Sequence, residues 1–282
     1  MNQTSFGTSW GALISKARSN LTGWIVGIAG FPRKRERLVV VAWEHRLGYP
    51  VALAMISLVA MAQVALATPR GLQIYADSFY YVAGSENLAA FRGFGRLSGG
   101  GDFIPITKFP PFFSVTMAAL ELIGLERLNS AYWINLSSYA LLVLSAGLLM
   151  RLETGSKPAS MLASLFVGLS PILLGVHIGL MSEPLFLVLS FAAISTFHRY
   201  LTHDRLALLI LSAVLVALAF LTRYIGISLI GTFAAVIVLR RSPLREKARR
   251  LGLLLAIGLA PMGIWMLRNL IHTGNAANRA VL

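Results

Sequence analysis

The sequence predicts an all-α polytopic membrane protein, and three observations support this fold class. The chain of 282 residues is 56% hydrophobic and only 13% charged, whereas soluble domains carry about 25% charged residues. Several apolar stretches approach the ~20 residues that an α-helix needs to cross a bilayer. Basic clusters separate these stretches, as is typical of cytoplasmic loops. The formal charge of +14 is therefore attributed to membrane topology, and no nucleic-acid partner is expected.

Residues 1–48 are predicted to form a basic cytoplasmic or interfacial arm. Their apolar stretch at 21–31 is short, and the cationic sequence FPRKRERL follows it directly. A cationic block in this position holds an apolar segment on the cytoplasmic side, so the N-terminus is placed in the cytoplasm. The first span is predicted at 49–67 and starts on the cytoplasmic side.

A long polar segment, 68–130, follows on the outer side of the membrane. A short amphipathic helix is expected at 78–91, with Asp77 as its N-cap. The glycine-rich sequence LSGGGD predicts a flexible loop after this helix. The segment is therefore expected to carry short interfacial helices rather than spans.

The apolar stretch 110–126 decides the topology of the rest of the chain. Only about 14 of its residues are continuously apolar, which gives roughly 21 Å of helix against a hydrocarbon core of ~30 Å. We therefore predict that it does not cross. With that choice every later basic loop is cytoplasmic, whereas a crossing would turn those loops outward. Seven spans result, near 49–67, 131–150, 159–176, 184–198, 206–221, 225–239 and 251–267.

An arginine and a tyrosine, Arg223 and Tyr224, interrupt the apolar run from Leu206 to Leu239. This run would be about 51 Å long as one helix, too long for a single span at modest tilt. It is therefore predicted to be two helices broken near 222–226. The break then faces the outer side, which spares Arg223 the cost of lying in lipid.

The predicted topology gathers many polar side chains on the outer side of the membrane. A few carboxylates among several cations beside lipid suit an anionic, lipid-linked substrate, because Arg and Lys hold phosphate. A carboxylate can also take the proton of an attacking hydroxyl or amine. The gathered residues are Asp77, Glu86, Lys108, His177, Glu183, Arg223, Tyr224, Arg268 and Asn269.

Five short segments follow one another in a characteristic order: ADSFYYVAGSENLA, KFPPFFS, SEPLF, LTRYIG and PMGIWMLRNLIHTG. Together they resemble the integral-membrane glycosyltransferases of the GT-C superfamily, in particular bacterial protein-mannosyltransferase-like and aminoarabinose-transferase-like enzymes. The resemblance covers about 49–275. It implies a seven-helix GT-C-like module at 49–270 with a large first extracytoplasmic loop, followed by a tail at 271–282.

The resemblance also implies a function and its location. The enzyme would be a hexosyl- or pentosyltransferase that uses a polyprenyl-phosphate-linked sugar. The acceptor would be a lipid, glycan or protein on the extracytoplasmic face of the inner or plasma membrane.

Residue by residue, the resemblance assigns Asp77 as the catalytic carboxylate of the first outer loop. Structural roles stay open for Asp77 as a helix cap and for Lys108 as an interface anchor. The substrate-binding and donor-phosphate-binding set is completed by residues that the topology places on the same side. This set is Lys108, Glu183, Arg223, Tyr224, Arg268 and Asn269.

The first loop differs from many relatives because it has one Asp where they have an adjacent acidic pair. Hard cations usually need several oxygen ligands, so no cofactor is expected; a divalent metal stays open as the less favoured alternative.

Two alternatives to the enzyme remain open. One is a non-enzymatic flippase or transporter of lipid-linked sugars. Transporters tend to carry polar residues and broken helices near the midplane, in two related halves, whereas this sequence shows no convincing internal repeat. The other is an inactive, truncated member of the superfamily, because members are commonly longer.

Overall fold

The computed structural model describes residues 48–276 and confirms the all-α fold class. The predicted arm, apart from Gly48, and the residues after 276 lie outside the described part. The helices are α1 (Gly48–Ala67), α2 (Ser78–Ala89), α3 (Phe112–Leu122), α4 (Arg127–Thr154), α5 (Lys157–Gly168), α6 (Pro171–His177), α7 (Glu183–His203), α8 (Leu206–Thr222), α9 (Ile227–Leu239) and α10 (Leu244–Thr273).

A small β-hairpin, which the sequence did not predict, follows α2. Strands β1 (Gly95–Leu97) and β2 (Phe103–Pro105) pair antiparallel, with Arg96 opposite Ile104. The sequence LSGGGD, predicted as a flexible loop, supplies the last residue of β1 and the turn between the strands. The predicted helix 78–91 ends at Ala89.

Within residues 48–276, four helices are long and apolar enough to cross a membrane: α1, α4, α7 and α10. The pair α5 and α6 passes the same test together. Helices α8 and α9 are equally apolar but shorter, at 17 and 13 residues. Each of the seven predicted spans therefore overlaps a helix or a bent helix pair, while the number of membrane crossings stays a prediction.

One end of the helix bundle is called the basic end. It consists of the loops that join α4 to α5, α7 to α8 and α9 to α10, together with the helix residues beside them, and these loops contact one another. Asp204, before α8, accepts from Arg240 after α9 at 2.8 Å. The same carboxylate accepts from Arg250 of α10 at 2.8 Å. Glu153 of α4 lies 2.9 Å from His198 of α7. Helices α8 and α9 thus form a hairpin whose ends meet here.

The opposite end, called the loop end, carries the long segment between α1 and α4. Gln73 of this segment donates to Ile178 at 2.9 Å and accepts from Leu180 at 2.8 Å, which brings the α6–α7 connection to the same end. Arg268, near the end of α10, donates to Phe94 of this segment at 2.7 Å. Among the described residues the chain therefore passes between the two ends seven times.

Helix α3 stays at the loop end, as its length predicts. Phe109 and Phe113, at its start, pack on Tyr81 of α2 with ring centroids 5.3 and 5.1 Å apart. Arg127, the first residue of α4, pairs with Glu86 of α2 at 3.1 Å and with Glu121 of α3 at 3.3 Å. Both ends of α3 thus lie close to α2, and α3 does not run to the basic end.

The segment predicted as a span at 159–176 consists of two helices, α5 and α6, with a bend of 58° between them. Ser170 has an extended backbone, with ψ 114°, which is what a residue before proline prefers. Its hydroxyl accepts from Leu173, so it caps α6. Pro171 then occupies the first turn of α6, where its missing N–H costs nothing.

Candidate active site

The break between α8 and α9 lies where the apolar run was predicted to turn. Helix α8 ends at Thr222, Arg223 has an extended backbone (φ −148°, ψ 136°), and one 3-10 turn spans Tyr224–Gly226. At Gly226 a Cβ atom would lie only 2.6 Å from the Cα of Phe220, so a residue without a side chain is needed here. This tight reversal places Arg223 at the loop end.

Beside this break lies a cavity of about 240 Å³. Its wall is made by the start of α2, the residues before α3, the residues before α7, and the α8–α9 break. The lining residues are Asp77, Tyr81, Phe109, Pro110, Met181, Ser182, Glu183, Thr222, Arg223, Tyr224 and Ile225. Four of the seven predicted site residues therefore meet in one place: Asp77, Glu183, Arg223 and Tyr224.

An ion pair joins two of these residues across the cavity wall. The Arg223 guanidinium pairs with Glu183 Oε1, and both side chains are about one-third exposed (32% and 30%). The same nitrogen of Arg223 lies 3.4 Å from Ser182 Oγ, to which it donates. Glu183 Oε2 is buried without a hydrogen-bond partner. Both groups can therefore make further hydrogen bonds. The guanidinium has five N–H donors, and Glu183 Oε2 can still accept one.

Asp77 is positioned by α2 but does not cap it, which corrects the prediction from sequence. Its backbone is already helical (φ −72°, ψ −25°), and its side chain makes no capping hydrogen bond. Within the described residues its carboxylate makes no hydrogen bond and no ion pair, although it lines the cavity. A carboxylate in this state is free to accept a proton from a bound group.

Three hydroxyl residues in the cavity wall were missed from sequence: Tyr81, Ser182 and Thr222, of which Thr222 donates to the carbonyl of Leu218 in its own helix at 2.7 Å. Ser182 is fully buried, Tyr81 is 2% exposed, and their oxygens lie 3.1 Å apart. Burial raises the pKa of the Tyr81 phenol, more than the hydrogen bond to Ser182 lowers it. One signal was available, because Tyr81 follows Asp77 by four residues and so shares its helix face.

Lys108 and Arg268 lie near the cavity without lining it. The Lys108 ammonium is exposed and sits 5.1 Å from the ring centroid of Phe109, a lining residue. Arg268 instead holds the outer segment in place. It donates to the carbonyls of Ile106 at 2.8 Å and Phe94 at 2.7 Å. These contacts are those of a structural anchor, and the predicted role of Arg268 in phosphate binding stays a prediction.

Asn269 has a similar anchoring position and is fully buried. Its amide donates to the carbonyls of Thr107 at 3.1 Å and Ala276 at 3.2 Å. Tyr224, by contrast, faces the cavity and its hydroxyl lies 3.4 Å from the Trp265 ring nitrogen. The cavity end of α10 is thereby tied to both the break and the outer segment.

Between residues 48 and 276, no group of three or more His, Asp or Glu side chains is arranged to hold a metal ion. Asp77 and Glu183 are the two carboxylates in the cavity wall, and Glu183 is already paired with Arg223. That the enzyme needs no metal stays a prediction.

A helical membrane bundle with a proton acceptor and a guanidinium in one cavity at its end has the parts of a membrane-embedded transferase. The sequence matches the model of the family described as dolichyl-phosphate-mannose-protein mannosyltransferase over residues 108–265, more than half of the chain. The chain belongs to this family, and the resemblance to GT-C enzymes is confirmed. Comparison with curated proteins and with solved structures gave no significant match.

This membership makes the protein a membrane glycosyltransferase that uses a polyprenyl-phosphate-linked sugar. The matched stretch contains Lys108, Glu183, Arg223 and Tyr224, whereas Asp77 precedes it and Arg268 and Asn269 follow it.

Proposed function

We propose that the protein transfers a sugar from a polyprenyl phosphate to an acceptor on the extracytoplasmic face of the cell membrane. The observation that carries this proposal is the cavity that combines the unpaired carboxylate of Asp77 with the Glu183–Arg223 ion pair. Family membership supplies the class of donor. The family description makes mannose the first sugar to test, with other hexoses and pentoses as alternatives.

The two carboxylates of the cavity take different roles because their surroundings differ. Glu183 is held by Arg223, so its negative charge stabilises the guanidinium rather than remaining available as a base. Asp77 has no such partner among the described residues and acts as the general base. It takes the proton of the acceptor hydroxyl or amine as that group attacks the anomeric carbon. The bond between this carbon and the phosphate oxygen breaks, and its electrons stay on the phosphate.

Arg223 stabilises the phosphate as it leaves. Guanidinium N–H groups aimed at an oxygen that gains charge lower the barrier most in a site with little water. Lys108 lies at the rim beside Phe109, where it adds a second positive charge for the incoming donor. Glu183 keeps the guanidinium in place and leaves Oε2 to accept from a sugar hydroxyl.

The loop end is proposed to face outward because the basic connections lie at the other end. Cytoplasmic loops are enriched in Lys and Arg, and Arg240 and Arg250 meet at the basic end. The chain has no cysteine, so single cysteines report position directly. Asp102→Cys should react with an impermeant maleimide in intact cells, and Arg245→Cys only after permeabilisation. The opposite pattern would overturn the proposed orientation.

Turnover is tested with purified protein, a radiolabelled polyprenyl-phosphate mannose and a membrane extract as acceptor. Asp77→Asn should reduce product formation by about 10²–10⁴-fold, the usual contribution of a general base. Asp102→Asn is the matched control, because it removes the same charge from an exposed position of the same outer segment. Full turnover by Asp77→Asn would remove Asp77 as the base. Movement of the labelled lipid between leaflets without product would favour a flippase.

A further inference from the structure

Two buried hydroxyl groups, those of Tyr81 and Ser182, line the cavity beside the Arg223 guanidinium. Each has one proton, and only one proton can lie between two oxygens 3.1 Å apart. Arg223 donates to Ser182 Oγ, so this contact uses no hydroxyl proton. Whichever hydroxyl donates to the other, one O–H of the pair has no acceptor among the described residues.

The Tyr81 side chain of this pair is fixed by its neighbours. The Tyr81 ring packs against Phe109 and Phe113, and the Tyr81 carbonyl accepts from Ser114 at 3.0 Å. A phenol is protonated at neutral pH, and burial raises the pKa of Tyr81 further above its ordinary value of 10.0, so the hydroxyl is a donor. A buried donor without an acceptor is unfavourable, and an oxygen of a bound ligand would relieve it.

We propose that the Tyr81–Ser182 hydroxyl pair, together with Arg223, binds an oxygen of the phosphate of a prenyl-linked substrate. This inference rests on the proposed function, which supplies the phosphate-linked carrier. Apart from the Glu183 carboxylate, which Arg223 already holds, the groups that converge here are donors, namely one O–H and the remaining guanidinium N–H groups. An anionic oxygen accepts from all of them, and Glu183 Oε2 stays available to a sugar hydroxyl.

Because either hydroxyl can supply the proton for the ligand, the single and double variants should differ in a way that a purely structural contact does not predict. Tyr81→Phe leaves the Ser182 proton for the ligand, and Ser182→Ala leaves the Tyr81 proton for it. Each single variant should therefore weaken binding by about threefold or less, whereas the double variant should weaken it by about tenfold or more. If the pair served only to join α2 to the residue before α7, either single change would cost as much as the double change.

The experiment measures the binding of farnesyl phosphate to the detergent-purified full chain by calorimetry, with farnesol as the uncharged control. Inorganic phosphate is added as a competitor to separate recognition of the phosphate from recognition of the prenyl chain. Tyr80→Phe is the matched control, because it removes the same atom from the neighbouring tyrosine, which does not line this cavity. Thermal unfolding of each variant confirms that it is folded before binding is compared.

The proposal is supported if farnesyl phosphate affinity falls strongly in the double variant alone and farnesol binding does not change. It is also supported if competition by inorganic phosphate is lost only in the double variant. It is overturned if the wild-type chain binds farnesyl phosphate and the double variant binds it equally well, or if either single variant loses as much as the double. Failure of the wild-type chain to bind farnesyl phosphate at all would instead remove the proposed donor class, and this inference with it.

Discussion

Replacing Arg268 with Met separates the role that its contacts show from the role that resemblance implies. The guanidinium donates to the carbonyls of Phe94 and Ile106 at 2.7 and 2.8 Å and lies 4.7 Å from the ring centroid of Trp265. Hydrogen bonds to charged groups contribute about 1.5–3 kcal/mol each. Because the residue is only half-buried, the lower value applies to both bonds, which gives a loss of about 3 kcal/mol. For a chain of this size that loss lowers the apparent Tm by about 6–12 °C.

The assay combines thermal unfolding in detergent with farnesyl phosphate binding by the fraction that remains folded. Arg92→Met is the matched control, because Arg92 is an exposed arginine of the same outer segment, and it should leave the apparent Tm within about 1 °C. Affinity of folded Arg268→Met for farnesyl phosphate should stay within about threefold of the wild-type value. An unchanged Tm together with a tenfold loss of affinity would refute this reasoning and make Arg268 a phosphate ligand.

Three further variants follow from contacts at the two ends of the bundle. Asp77→Asn should change the apparent Tm by less than about 1 °C, since the side chain makes no cap hydrogen bond, and a fall of several degrees would show a structural role. Arg223→Gln should lower stability by about 1 kcal/mol because it leaves the Glu183 carboxylate unpaired. Adding Glu183→Gln should restore stability but not turnover, and recovery of turnover would contradict the role of Arg223. Asp204→Asn should lower the apparent Tm by a few degrees at pH 7, and unfolding scans from pH 7 to pH 2 should show the difference from wild type vanishing in acid. The hydrogen bond from Arg250 holds the pKa of Asp204 below its ordinary value of 3.8, so its stabilisation is present above that value and is lost as the pH falls through the lowered pKa. A difference that persisted unchanged in strong acid would exclude this cause.

The order of the helices was predictable because it depends on the lengths of the apolar segments and on the positions of the basic residues. Helix α3 is too short to run the length of the bundle, and its position decides which ends of the later helices meet. The run from Leu206 to Leu239 is too long for one helix, and its arginine marks the turn. The rise per residue of a helix and the cost of a charge in lipid are sufficient to predict both features.

The bend between α5 and α6 was within reach of the sequence but was not predicted. Ser170 followed by Pro171 is a cap and a first-turn proline in one dipeptide. The apolar residues on both sides continue without interruption, so hydropathy alone joins the two helices. Hydropathy reports the lipid environment, whereas backbone chemistry determines where a helix starts again.

The partners of individual polar side chains could not be predicted from their type and position. Arg223 and Arg268 both lie at the loop end of apolar helices, and the sequence suggests phosphate binding for both. The structure distinguishes them by what each guanidinium contacts. Arg268 meets two backbone carbonyls that precede it by more than 160 residues, and such pairing depends on how the outer segment folds against the bundle.

The two acids of the cavity differ in how their charge is stabilised before substrate binds. Glu183 is paired with Arg223. Asp77 is partly exposed, so water solvates its carboxylate until an acceptor hydroxyl or amine binds and donates to it. In that complex the phosphate simultaneously engages Arg223. A site built this way gains most from binding both substrates together, so donor affinity should rise when the acceptor is present.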